Sequence, residues 1–180
     1  MFLNPQKAIK EGWLRGISEE FIQPNAIDIP INELWKMKSN STFYLFRNSK
    51  KHRQRTKVQP LNFIDSEQPV WILKTGVYDY FSKAYVEMPE GIVGWIVTRS
   101  TLNRNGVFIH SGLYDSGFKG HLNGSIYVLG GQAIIQPGSR IAQFIMAESD
   151  NAKIYTGGYN VNEGEYDEQL LNTLLNTKEL

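Results

Sequence analysis

From residue 70 to residue 146 the chain is punctuated by short apolar runs, at 70–73, 84–88, 91–98, 106–110, 125–129, 132–135 and 141–146. Runs of four to eight residues suit strands, whereas a helix needs roughly 10–12. Glycine and proline between the runs supply the turns. Many short strands at regular spacing predict an all-β fold, a barrel or a double-sheet jelly roll. The flanks read differently. Asn4 can cap, and Pro5 can open, a short helix over 6–13, ended by Gly12 or Gly16. Pro24 and Pro30 push the residues before them into extended geometry within 21–30, and 41–46 alternates as a strand. Past residue 150 the pattern changes: 155–159 is loop-like, and 166–178 predicts a terminal helix with Leu170, Leu171, Leu174 and Leu175 on one side. The expected organisation is one β domain over 1–150 and a tail over 151–180.

Composition narrows the function. A chain of 180 residues, 41% hydrophobic and 21% charged, supports a single core. A net charge of +1 provides no global field toward nucleic acid or an anionic membrane, so neither is an expected partner. No apolar run approaches the roughly 18–20 residues of a membrane helix, and residues 1–5 lack the basic and apolar regions of a secretory signal. With no cysteine, thiolate metal sites and cysteine nucleophiles are excluded, and a reducing cytoplasm is the expected location. The phosphate-loop and dinucleotide glycine motifs are absent. A zinc deaminase of the Pro-Cys-x-x-Cys type is impossible without cysteine.

Three phrases place polar side chains at strand ends, where loops present function. Arg99 and Ser100 follow the run at 91–98; a guanidinium and a hydroxyl there suit phosphate oxygens, and a structural ion pair for Arg99 is nearly as plausible. Asp115 stands in a glycine-rich hairpin, placed either to orient a water or to form an Asx turn. Gln143 lies within an apolar run, so its amide needs partners, whether backbone or ligand. Arg47, Lys50, Lys51, Arg53, Arg55 and Lys57 crowd the segment 47–57 with His52. A solvated loop is the favoured reading of that run over triphosphate or nucleic-acid contact, because it lacks interleaved aromatics.

The ensemble resembles a known family. Gln23-Pro24 with Asp28, Arg99-Ser100-Thr101-Leu102-Asn103-Arg104, Asp115-Ser116-Gly117-Phe118-Lys119-Gly120 and Pro137-Gly138-Ser139-Arg140-Ile141-Ala142-Gln143 resemble the signature segments of the trimeric dUTPase and dCTP deaminase superfamily, more closely its deaminase branch. The resemblance implies a distorted jelly-roll subunit, a homotrimer with deoxypyrimidine triphosphate sites at subunit boundaries, and magnesium carried by the triphosphate. It implies that Ser100 and Arg104, beside Arg99, serve the phosphate and reaction region. Ser111, Gly112, Leu113 and Tyr114 would read the pyrimidine through backbone groups, Asp115 would position the attacking water beside the deoxyribose, and Phe118 would pack under the sugar. Gln143 would contact structure or ligand near the site. The tail phrase containing Tyr166 and Gln169 would close over a neighbouring subunit's site.

Two departures bear on activity. Deaminases of this branch carry a glutamate ten residues after the hairpin aspartate as general base, and here that position is Ser125. Losing a positioned base typically costs roughly 10²–10⁴ in rate. Their tail phrase Lys-Tyr-x-x-Gln is matched by Glu165-Tyr166-Asp167-Glu168-Gln169, an acid where a base belongs. The expected function is therefore hydrolysis of dUTP to dUMP and pyrophosphate. The alternatives are a non-catalytic deoxynucleotide binder and a dCTP deaminase with a base other than the missing glutamate.

Overall fold

The computed structural model describes residues 1–150 and 152–163. Helix α1 (Pro5–Lys10) starts where the sequence places it: the Asn4 side chain accepts from the Gln6 backbone N–H at 3.0 Å, and Pro5 occupies the first turn. It ends at Lys10, sooner than expected, because Gly12 adopts φ +70 and reverses the chain.

The remainder is strands and their connections: β1 (Leu14–Arg15), β2 (Ile27–Pro30), β3 (Glu33–Met37), β4 (Tyr44–Phe46), β5 (Ser49–Lys51), β6 (Arg55–Lys57), β7 (Leu61–Phe63), β8 (Ser66–Leu73), β9 (Gly76–Glu87), β10 (Ile92–Thr98), β11 (Val107–His110), β12 (Lys119–Val128), β13 (Ala133–Ile135) and β14 (Arg140–Glu148). One helical turn, α2 (Ser100–Arg104), interrupts them after β10. The main sheet runs β11-β12-β9-β3-β6, with β1 paired to β9. A second sheet, β10-β14-β2, lies across the core from it, and β13-β8-β7 and the hairpin β4-β5 complete the set. All ladders are antiparallel. The architecture is the mostly β, jelly-roll type expected.

Both main sheets turn large apolar side chains inward. Tyr80, Ala84 and Val86 of β9, Leu122 and Ile126 of β12, Ile27 and Ile29 of β2, and Ala142 and Phe144 of β14 are completely buried. Full burial of one Val, Leu, Ile or Phe side chain contributes about 1.5–3 kcal/mol, so this core is the main source of stability. Packing is tight enough to require glycine at Gly94, where a Cβ would lie 2.4 Å from the Phe144 ring.

Two strands outgrow their apolar runs. β9 begins at Gly76 and β12 at Lys119, where sequence patterning showed runs only over 84–88 and 125–129. Asp79, Asn123 and Ser125 break the apolar signal in these strands, yet their backbones pair across the ladder, whereas Lys83 falls at the register shift between His121 and Asn123. The basic segment is also strand rather than loop: Lys50 and Lys51 are exposed on β5, but β6 pairs with β3 and carries Arg55 inward. The expected terminal helix, with Tyr166 and Gln169, falls outside the described residues. Among those described, no helix is long and apolar enough to cross a membrane.

Candidate active site

The hairpin that follows β11 is held at both ends. Thr98 of β10 clamps the strand before it: its hydroxyl accepts from Ile109 N at 2.7 Å and donates to Ile109 O at 3.1 Å. After the hairpin, Tyr114 bridges back to Gly94 through two backbone hydrogen bonds of 2.8 and 2.9 Å. The Tyr114 ring is buried against Phe144, and its hydroxyl donates to Asn123 O at 2.9 Å while accepting from Asn123 N at 3.1 Å. These bonds occupy backbone groups that the register shift between His121 and Asn123 would otherwise strand. Burial holds the Tyr114 hydroxyl well above the ordinary tyrosine range, so it stays protonated, a structural post rather than an acid. Asp115 comes next and is exposed. Its carbonyl accepts from Phe118 N at 3.0 Å across a turn that needs Gly117 at φ +86.

Beneath the hairpin lies a cavity of about 520 Å³. Gly112, Leu113, Tyr114 and Phe118 form one wall. Phe118 meets Tyr114 edge-on at 5.3 Å and Tyr155 at 5.7 Å, so aromatic faces continue from the core to the rim. The opposite end is polar, with Arg55, Asp79, Ser125 and His52. Asp79 lies directly across the ladder from Ser125, which donates to its Oδ1 at 3.2 Å. Its Oδ2 is ion-paired with Arg55 Nε, and the two side chains are only 16% and 11% exposed. Burial, then Lys50 and Arg55, holds His52 below the ordinary histidine range. His121, also lining the cavity, is lowered chiefly by burial, against the carbonyls of Lys83, Ser82 and Ala84 and the Glu163 carboxylate.

The start of the tail lies over this chain's own cavity. Tyr155 N donates to Ser116 O at 2.8 Å, Val161 N to Lys119 O at 3.1 Å, and the Tyr85 hydroxyl to Val161 O at 2.8 Å. Lys50 sits 4.6 Å from the centre of the Tyr159 ring.

The other expected residues stand elsewhere. Ser100 and Arg104 are exposed on α2 and, like Asp115 and Ser111, do not line the cavity. Arg99 and Gln143 are engaged inside the protein rather than in the cavity. Asp28, fully buried, accepts from Gln143 Nε2 at 3.1 Å and from Arg140 Nη1 at 3.2 Å, and its Oδ2 lies 3.4 Å from Arg99 Nη2. Arg99 also donates to Arg140 O at 3.0 Å. This network ties β2 to β14 and fixes the residue from which α2 starts. Of the two readings of Arg99, the ion pair is the one present within the chain. Sequence reasoning missed Asp79 altogether. The signal available was a lone carboxylate between Tyr78 and Tyr80, in a stretch otherwise apolar.

A family model described as dCTP deaminase-like matches residues 6–149. A Halobacterium salinarum protein named probable deoxyuridine 5'-triphosphate nucleotidohydrolase is 27% identical over 143 residues, covering 79% of this chain and 85% of that one. A Persephonella marina protein named dCTP deaminase, dUMP-forming, is 28% identical over 150 residues, covering 79% of each chain. The crystal structure of 2'-deoxycytidine 5'-triphosphate deaminase from Agrobacterium tumefaciens superposes with a TM-score of 0.62 at 14% identity, over 82% of this chain and 48% of that one. The chain thus spans about half the length of that solved deaminase, and the likeness shows the shared fold. With the family model spanning most of its length, the chain belongs to the dCTP deaminase-like family of the dUTPase and dCTP deaminase superfamily.

Proposed function

We propose that this protein hydrolyses dUTP to dUMP and pyrophosphate, taking the nucleotide into the cavity beneath the 111–115 hairpin. The observation that carries the reading is the state of the cavity's carboxylate. Asp79 is the one acidic residue lining the cavity among the described residues, and it is committed to Arg55 and Ser125. Both of its carboxylate oxygens are taken up by protein partners, so the polar end offers no disengaged carboxylate for the proton transfers of deamination. Asp115, by contrast, is exposed at the end of the hairpin, in reach of solvent water. In this reading water attacks the triphosphate with Asp115 orienting it, and Phe118 packs under the deoxyribose.

Ser100 and Arg104 take the phosphate role in the same reading. They are exposed and outside the cavity of a single chain, which supports a homotrimer whose sites combine the hairpin of one subunit with α2 of another. Magnesium enters on the triphosphate, where its charge offsets that of the oxygens being separated. Clustered guanidinium and hydroxyl donors then stabilise the charge developing on the leaving pyrophosphate.

The test is product analysis with dUTP and with dCTP, each with magnesium, for the unaltered protein and Asp115→Asn. Pyrophosphate and dUMP from dUTP, lost in the variant, support the proposal. Ammonia released from dCTP overturns it in favour of deamination, and binding without turnover of either overturns it in favour of a non-catalytic binder.

A further inference from the structure

The polar end of the cavity has a fixed hydrogen-bond polarity. Arg55 reaches from β6 across β3 to Asp79 on β9, and Nη1 of the same guanidinium donates to Arg53 O at 3.0 Å. With Nε and Nη1 so engaged, Nη2 keeps its hydrogens, and Arg55 lines the cavity. Ser125 is fixed in the opposite sense. The carboxylate of an ion pair only accepts, so the Ser125 hydroxyl hydrogen is directed to Asp79 at 3.2 Å, and its lone pairs are what it offers to the cavity. A donor and an acceptor therefore both line a cavity whose walls include Phe81 and Tyr155, aromatic surfaces that suit the faces of a planar ring.

We propose that Arg55 and Ser125, both held by Asp79, read the edge of the nucleobase and select a carbonyl next to a ring N–H. Uracil presents that pattern with O4 and N3–H. Cytosine presents the reverse, an amino group and an unprotonated ring nitrogen, and would set donor against donor and acceptor against acceptor. Arg55 and Ser125 are then specificity residues, and Asp79 is a positioning residue acting through both. The inference rests on the nucleotide reading above and adds to it the preference for the base, together with a role for one arginine of the basic segment. It also gives a reason for serine at position 125: an ionised carboxylate there would face Asp79 across the ladder, and like charges directly opposite are destabilising.

The experiment is calorimetric binding of the α,β-imido analogues of dUTP and dCTP, with magnesium, to the full chain, to Ser125→Ala and to the paired replacement Arg55→Met with Asp79→Leu. Replacing both members of a buried ion pair by apolar groups generally preserves stability, and Ser125→Ala leaves the pair intact, so folding does not confound both variants. A mispaired hydrogen bond to a charged group is worth roughly 10- to 100-fold in affinity. The expected result is preference of that order for the dUTP analogue, reduced by Ser125→Ala and brought close to unity by the paired replacement through loss of dUTP-analogue binding. Preference for the dCTP analogue, or a preference for uracil unchanged in both variants, overturns the assignment while leaving the nucleotide reading in place. Absence of binding by either analogue to the unaltered protein removes the nucleotide reading itself, and this inference with it.

Discussion

Replacing Asp28 by alanine tests the network beneath α2. The carboxylate is fully buried and serves three partners, Gln143 at 3.1 Å, Arg140 at 3.2 Å and Arg99 at 3.4 Å. Removing one partner of a buried ion pair costs about 3–5 kcal/mol, because the remaining charge is left uncompensated. Here the Arg99 and Arg140 side chains are 29% and 40% exposed, so water recovers part of that loss. The Gln143 amide adds about 1 kcal/mol as a lost hydrogen bond. Asp28→Ala should therefore destabilise the protein by about 3 kcal/mol, a fall in Tm of roughly 6–12 °C for a chain of this size. Urea unfolding at a fixed protomer concentration gives the measurement, and the midpoint should fall with the slope unchanged. Asp28→Asn, which keeps an acceptor for Gln143 but loses the charge, should fall between the two. A loss below about 1 kcal/mol for Asp28→Ala would refute the reasoning, since it would mean that solvent already satisfies both guanidinium groups.

Two further outcomes follow from the site. A Cβ on Gly124 would lie 2.1 Å from the His110 carbonyl oxygen, whereas one on Gly112 would meet nothing within 4 Å. Gly124→Ala should cost at least 1–3 kcal/mol, by roughly the usual penalty for overpacking, and Gly112→Ala should be nearly neutral in the same urea assay; equal effects would contradict the close approach. The second concerns pH. Burial lowers His121 and His52 below the ordinary value of 6.5, so the unfolded chain binds more protons just below that pH and stability falls as pH drops from about 7 toward the folded values, then levels. Glu87, lowered chiefly by its hydrogen bond from Arg15, loses its contribution only below 4.5, in a separate window. Urea midpoints between about pH 8 and pH 5 should slope in the unaltered protein and slope less in His121→Gln, where only the contribution of His52 remains; a flat profile before mutation would exclude burial as the dominant influence on these rings.

The α1 cap, the short-strand architecture and the hairpin from Ser111 to Asp115 were legible in the chain because each depends on neighbours in sequence. Asn4 caps a residue two positions away, and each apolar run carries its own period and its own turn. The polar end of the cavity was not legible. Arg55 meets Asp79 across 24 positions and Ser125 meets Asp79 across 46, and both pairings depend on which strands become neighbours and in what register. A shift of one residue in the ladder between β9 and β12 would turn Asp79 and Ser125 to opposite faces. The same holds for Asp28, whose partners Arg140 and Gln143 lie 112 and 115 positions away. Local propensity and motif spacing therefore determined the family, the fold class and the loop that frames the site. Strand pairing alone decided which charges meet inside it, because side-chain direction alternates at every residue and only the ladder says which alternation faces the cavity.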